Sequence, residues 1–345
     1  MSEVPRIGPG RPCFIAAEIG INHNGDLDLA RRSIAAAKSA GADAVKFQNY
    51  RTEDFVRDRS LTYTYRSRGS EVTESQFELF KRCELGRDAL IALARYCAEL
   101  DIAFFTTPTG EDGIADAVAA GARVLKNGSD YLTHLPLIRA MAGTGLTTVL
   151  STGMATLAEI DDAVRAFRSA GGHDLVLLHC VSAYPAPLAS INLRKIPALA
   201  AAFDCPVGFS DHTAGVTAAT AAAALGAVMV EKHFTLDRNL PGPDHWFSSD
   251  PGELATLVRA IRDAEAALGH SRLVRADADD SMRETARLSC AAGRELPAGH
   301  VIVPADVVFC RPGHGLPPKG LDWLAGRRLV RAVAAAHVFA PGDFA

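Results

Sequence analysis

The chain has 345 residues, 48% hydrophobic and 22% charged, a balance ordinary for a globular protein and sufficient for a sizeable core. Its formal net charge of −4, without a basic run, argues against general nucleic-acid binding. No apolar stretch of membrane-spanning length or signal-peptide pattern is present, and the seven cysteines lack CxxC or zinc-finger spacing, so the expectation is a cytoplasmic protein with no membrane or nucleic-acid partner.

In chain order, eight short β-rich runs recur: 14–22, 44–50, 102–108, 124–129, 148–154, 175–180, 207–213 and 227–235. Ala-rich amphipathic stretches separate them. LDLARRSIAAAKSAG (27–41) has helical apolar spacing and a Gly stop, and TAGVTAATAAAALG (213–226) follows with Thr213 as its expected N-cap. Near-continuous apolar strands alternating with helices predict a parallel sheet covered on both faces. Eight βα units in about 250 residues match a TIM (β/α)8 barrel. An open doubly wound sheet is the runner-up, but the chain lacks a GxGxxG turn. The predicted domains are a catalytic barrel over 1–268, a charged linker over 269–287 and a small, mostly β module over 288–345. The module is too thin in core to be expected to stand without docking.

Every predicted strand ends in polar residues: Glu18 and Asn22, Lys46 and Gln48, Thr106 and Thr107, Lys126 and Ser129, Ser151 and Thr152, His179 and Ser182. Ser210, Asp211 and His212 end the seventh, and Glu231, Lys232 and His233 the eighth. In a barrel these ends converge on one rim, where active sites are built. Lys46 and Lys126, with the hydroxyls of Thr107, Ser129, Ser151 and Ser210, form a donor-rich bowl suited to a small phosphate or carboxylate anion. His212 and His233 end neighbouring strands, and with nearby oxygen donors such a pair suits Mn²⁺, Fe²⁺, Co²⁺ or Zn²⁺ as a Lewis acid on a carbonyl. Glu18 is the candidate acid/base or orienting carboxylate. His23, His134, His173, His270, His300 and His337 read as structural.

The segments EIGINHNG, GADAVKFQ, LSTGM, LLHCVSAYPAP, GFSDHT, EKHFT and GPDH, in this order, resemble the sialic acid synthase family. Residues 291–318 resemble its appended antifreeze-like, or SAF, domain. The resemblance implies a transferase that condenses phosphoenolpyruvate with an N-acylated mannosamine-type sugar, releasing phosphate and giving a nine-carbon 2-keto acid. It implies Glu18 as the active-site glutamate, and Lys46, Thr107, Lys126, Ser129, Ser151, Ser182 and Ser210 around phosphoenolpyruvate. Gln48, Tyr184 and Asp244 are implied around the sugar. His212 and His233 are implied to hold the metal, Mn²⁺ in the first place, with Co²⁺ or Mg²⁺ as alternatives. Arg311 is implied to reach the active site from the second subunit of a domain-swapped homodimer.

Two rim loops depart from the family pattern. KNGSDYLTHLPL (126–137) places Tyr131 where an acidic residue is usual, with Asp130 one position early, and TTPTGED (106–112) places Thr109 where Phe is common. Both departures point to an altered acceptor pocket. Three alternatives remain open: a metal-dependent pyruvate aldolase, a Schiff-base aldolase using Lys46 or Lys126, and a non-catalytic binder of a phosphorylated ligand. The tail has no flat threonine array suited to ice.

Overall fold

The computed structural model describes residues 7–345. It divides into two compact units, one ending at Gly269 and one over His270–Ala345.

In the first unit, eight parallel strands close into a barrel. They are β1 (Phe14–Gly20), β2 (Ala44–Asn49), β5 (Ala103–Pro108), β6 (Val124–Asn127), β7 (Thr147–Ser151), β8 (Leu175–Cys180), β9 (Val207–Asp211) and β10 (Met229–His233), with β10 pairing back onto β1. Each coincides with a predicted run. An antiparallel hairpin, β3 (Thr62–Ser67) and β4 (Ser70–Ser75), interrupts the series after β2. The sequence reading passed over it, although its two-residue turn, Arg68–Gly69 with φ of 52° and 79°, is the left-handed pair that hairpins favour.

Strand alternation sorts each strand into two faces. One set of alternate positions fills the barrel interior: Phe14, Ala16, Ala44, Phe105, Val149, Val176, Leu178 and Met229 form a buried apolar layer there. Along the same faces the next inward positions are Glu18, Lys46, Lys126 and Glu231, so the charged residues sit directly above a dry floor. The opposite face, including Ile15, Ile19, Val45, Phe47 and Val230, packs under the surrounding helices.

Helix Leu27–Ser39 lies where expected, capped by Asp26, whose side chain accepts from the amides of Asp28 and Leu29. The predicted cap at Thr213 is corrected. That helix starts at Thr217 after Val216, and the residues between are drawn into a turn around Lys232. No helix among the described residues is long and apolar enough to cross a membrane. The stretch 269–287 is not a bare linker, since it carries a helix over Asp280–Ala286.

The second unit has its own core, with Cys290, Ala292, Leu296, Ile302, Leu324, Leu329, Val333 and Phe339. Its strands β11 (Ser289–Ala292) and β12 (Val307–Cys310) are antiparallel. It also contains an internal repeat that the sequence reading missed. Arg294, Leu296, His300, Pro304 and Asp306 recur 37 positions later as Arg331, Val333, His337, Pro341 and Asp343. Leu296 and Val333 exchange both backbone hydrogen bonds at 3.0 and 2.9 Å, as expected at an approximate two-fold axis. In each half a buried aspartate accepts from an arginine, a histidine and a backbone amide: Asp306 from Arg294, His300 and Val303, and Asp343 from Arg331, His337 and Ala340.

Two predictions follow from this packing. The outward side chain of Asn127 on β6 is fully buried, and neither amide atom has a partner. Asn127→Leu should therefore stabilise the first unit by about 1–2 kcal/mol, read as a higher denaturant midpoint at unchanged slope; a lower midpoint would show that the amide is bonded. In the second unit the His300 bond holds Asp306 below its ordinary range; at Asp343, burial opposes but the Ala340 amide, His337 and Arg331 outweigh it. Aspartates lowered in the fold stabilise it above the unfolded value of about 3.9, and that stabilisation disappears as pH falls through the folded values. The stability gap between the chain and its Asp306→Asn/Asp343→Asn variant should thus close on acidification below about pH 4, followed by Trp323 fluorescence in a Trp246→Phe background. A gap independent of pH would refute the linkage.

Candidate active site

The C-terminal ends of the barrel strands open into a cavity of about 500 Å³. Among the expected residues, Glu18, Lys46, Gln48, Thr107, Lys126, Ser129, Ser151, Ser182, Tyr184, Ser210, His212, His233 and Asp244 all line it. Arg311 belongs to the second unit, where its Nε donates to the carbonyl of Ala286 at 3.0 Å.

All eight strand ends contribute to the cavity, but not every polar residue at them points into it. Asn22, Thr106, Thr152, His179, Asp211 and Lys232 lie on outward faces or in loops, and their hydrogen bonds serve the framework. Thr106 donates to Phe47 O and Asn49, Thr152 to Leu178 O, and the His179 ring bonds Ile191 O. The carboxamides of INHNG act likewise. Asn22 donates to Phe234 O and Ser248 Oγ, and Asn24 to Pro241 O, so both pin the 235–250 loop that carries Asp244. Buried His23 accepts from the amide of Gly25.

At the cavity floor Lys46 Nζ lies 2.8 Å from Glu18 Oε2 and donates to Thr107 Oγ1 at 2.9 Å. Lys126 Nζ donates to both oxygens of Glu231, at 2.8 and 3.0 Å. Ser210 donates to Glu231 at 3.1 Å, and Gln48 to Glu18 Oε1 at 3.2 Å. Sequence reasoning placed Glu231 at a strand end without a role; here it is the counter-charge to Lys126. Burial pushes Glu231 upward, but Lys126 and Lys46 outweigh it and hold the carboxyl at about 2. At Glu18 burial prevails over the opposing charge of Lys46, and its pKa is raised. Of two glutamates in one floor, the one whose pKa is raised is thus the better suited to hold or release a proton.

Beside the lysines is a hydroxyl cradle. Ser129 Oγ donates to Ser151 Oγ at 2.8 Å and accepts from the amide of Gly153 at 3.1 Å. A Cβ at Gly153 would lie 2.5 Å from Ser182 Oγ, 2.6 Å from Ser129 Oγ and 3.1 Å from Cys180 Sγ, so only glycine leaves the hollow open. Cys180 was not anticipated. Burial raises its thiol, yet the hydrogen bond and charge of His212 more than offset this and bring it to about 7.

The two imidazoles stand with ring centroids 5.3 Å apart, packed among Tyr184 and Phe247. His212 Nδ1 is engaged by Val181 O at 2.9 Å, leaving Nε2 beside Ser210 Oγ at 3.5 Å. His233 Nδ1 is buried without a hydrogen-bond partner, 3.7 Å from Asp244. Burial, then the His212 and Lys46 charges, keep His233 well below the ordinary histidine range and therefore neutral. An orphaned neutral imidazole next to a second one and a carboxylate fits a divalent transition ion. No preassembled set of three His, Cys, Asp or Glu ligands occurs among the described residues, so the protein side of such a site is two nitrogens with open positions.

The outer wall comes from residues after β2, which sequence reasoning left unassigned. Tyr50, Phe55 and Phe80 meet edge-on at 5.1–5.7 Å. Phe55 and Tyr63 are 36% and 40% exposed against 3% for Lys46, which marks them as the mouth. Tyr131 and Thr109, the two departures, both line this same wall.

A closed parallel barrel whose strand ends hold an anion cradle, a raised carboxyl and paired imidazoles defines a TIM-barrel enzyme site for anionic substrates. Residues 33–272 match the NeuB family and residues 289–345 the SAF domain, and the chain belongs to the NeuB family. It is 38% identical over 326 residues to the N,N'-diacetyllegionaminic acid synthase of Legionella pneumophila, covering 93% of this chain and 92% of that one. It is 33% identical over 330 residues to the human N-acetylneuraminate-9-phosphate synthase, covering 95% and 91%. The crystal structure of an N-acetylneuraminic acid synthetase from Leptospira borgpetersenii in complex with citrate matches with a TM-score of 0.72 at 35% identity, over 80% of this chain and 92% of that one.

Glu18→Gln should keep the fold while losing about a hundredfold or more in kcat. A drop in melting temperature with little change in kcat would instead make Glu18 a purely structural group.

Proposed function

We propose that this chain condenses phosphoenolpyruvate with the open-chain form of an N-acylated mannosamine-type sugar, giving a nine-carbon 2-keto acid and inorganic phosphate. The observation that carries the reading is the cradle of Lys46, Lys126, Thr107, Ser129, Ser151, Ser182 and Ser210 around the Gly153 hollow, directly beside Glu18 and the imidazole pair. Such a cradle holds a phosphate and a carboxylate of one small molecule through charge and fixed hydroxyls.

In this reaction C3 of the enol forms a bond to the sugar's aldehyde carbon, whose oxygen takes a proton and becomes a hydroxyl. Water then adds at C2, and the resulting tetrahedral centre breaks its C–O bond to phosphate, leaving the ketone. Lys46 and Lys126 hold the anionic groups in register, and the apolar layer beneath excludes water from the floor. Glu18 is placed to move a proton at the sugar oxygen or the attacking water, with Gln48 and Lys46 fixing its orientation. A divalent ion on His212 and His233, Mn²⁺ before Co²⁺ or Mg²⁺, supplies Lewis-acid polarisation of the aldehyde when bound. Tyr184 and Asp244 flank that position. Arg311 is proposed to act from the second subunit of a domain-swapped homodimer. A cytoplasmic setting suits the seven free cysteines, five of them buried.

The acceptor's far end is proposed to be uncharged. The cavity lining contains two cations, Lys46 and Lys126, against Glu18, Asp130, Glu231 and Asp244, and both lysines lie on the buried floor. A phosphorylated sugar would bring a second dianion to a mouth of aromatic side chains. Tyr131 and Thr109, both in the cavity wall, support a second reading in which the acceptor is a differently substituted aldose.

The test supplies phosphoenolpyruvate with N-acetylmannosamine, a 6-deoxy doubly acylated hexosamine and N-acetylmannosamine 6-phosphate, reading phosphate and product mass. One phosphate should appear per 2-keto acid formed. The phosphorylated sugar should be the poorest acceptor by at least about tenfold in kcat/KM, equivalent to about 1.4 kcal/mol. EDTA should abolish turnover and Mn²⁺ or Co²⁺ restore it. Carbon–carbon bond formation from pyruvate without phosphate release would replace the proposal with an aldolase.

A further inference from the structure

Immediately beside the two imidazoles, on the outward face of the same strands, is a buried ion pair to which the reaction gives no part. Asp211 precedes His212 and Lys232 precedes His233, and the two are register partners between β9 and β10. Lys232 Nζ lies 2.8 Å from Asp211 Oδ2, and both side chains are inaccessible to solvent. The same ammonium donates to the carbonyls of Thr213 and, at 3.1 Å, of Gly215, so its three protons are all used. Asp211 Oδ1 in turn accepts from the amide of Thr213 at 2.8 Å.

We propose that Lys232 and Asp211 are positioning residues that set the spacing and aim of His212 and His233 for a divalent cation. The connectivity carries the inference. One ammonium is tied to the residue before His212 and to the residue after it, and it belongs to the residue before His233. The backbone on both sides of one imidazole is thereby clamped to the strand that carries the other. The clamp also curls 213–216 into a turn and delays the helix to Thr217, so the loop carrying His212 follows the lysine instead of extending the helix. Neither side chain lines the cavity, so neither touches substrate. A ligand pair with open positions depends on such support, because two nitrogens held a fraction of an ångström off lose affinity for an ion that two nitrogens must share.

The inference rests on the metal assignment made above, and the experiment separates the two. Removing one partner alone strands a buried charge, so both are neutralised together as Asp211→Asn/Lys232→Met, with His212→Ala as the reference loss. Mn²⁺ binding is read by electron paramagnetic resonance on full-length protein without substrates, phosphoenolpyruvate binding by calorimetry, and folding by thermal melt. The double variant should bind Mn²⁺ at least about tenfold more weakly, with phosphoenolpyruvate affinity falling far less, because Ser210 is the one cradle residue on β9 or β10 and the rest lie on other strands and loops. Lys232→Arg keeps the charge balance but presents a planar fork to converging acceptors, and should weaken Mn²⁺ in the same direction even where the double variant does not fold. If wild type binds Mn²⁺ and His212→Ala does not, while the pair variants bind as tightly as wild type, the pair is structural and the inference fails alone. Equal losses in Mn²⁺ and phosphoenolpyruvate would mean general loosening and would also overturn it. Wild type that binds no Mn²⁺ would overturn both readings.

Discussion

The rest of the first unit depends on four charges held inside a barrel. Glu18, Lys46, Lys126 and Glu231 occupy inward positions one step above the last apolar layer, where an unpaired charge is strongly disfavoured. Their pairing, Glu18 with Lys46 and Lys126 with Glu231, makes the arrangement tolerable. It also differentiates the carboxyls. Glu231, served by two lysines and a serine, remains an anion, while burial prevails at Glu18. At Lys46 burial opposes the charge, but Glu18 and Glu231 outweigh it and raise its pKa, and hydroxyls and one glycine amide complete the cradle without adding negative charge.

Such a floor is useful only if the loops above it are fixed, and much of the framework chemistry does that work. The hairpin after β2 leans on the 237–247 segment: Ser67 accepts from Gly242 N, Arg68 donates to Asn239 O, and Arg66 lies over the Trp246 ring. From the other side Asn22 and Asn24 hold the same segment. Asp244 is therefore presented by a loop anchored at several points. At the end of β1, Gly20 adopts φ of 53°, and a Cβ there would lie 2.9 Å from Glu18 Oε1, so the glycine also protects the carboxylate's position.

The second unit solves a different problem. Fewer than eighty residues must build a core from short strands and turns. It does so by using one solution twice, a buried aspartate collecting an arginine, a histidine and a turn amide, related by the Leu296–Val333 exchange. His300 and His337, read from sequence as structural, are the matched members of this repeat.

Sequence alone was enough for the barrel, because continuous apolar runs separated by amphipathic stretches leave few parallel architectures, and every predicted strand is present. It was also enough for most of the site, since the inward residues of consecutive strands carry the distinctive chemistry. What it could not decide was direction. A one-residue step reverses the face of a strand, so Lys46 and Lys232 look alike in sequence although one lines the cavity and the other clamps its rear. The same step separates Thr107 from Thr106 and Ser210 from Asp211. Nor could sequence show the helix delayed to Thr217, because the cause is a lysine on the next strand. The aromatic mouth of Tyr50, Phe55 and Phe80 escaped for the same physical reason. Local periodicity fixes which residues lie on one element, whereas closure of the barrel determines which elements meet.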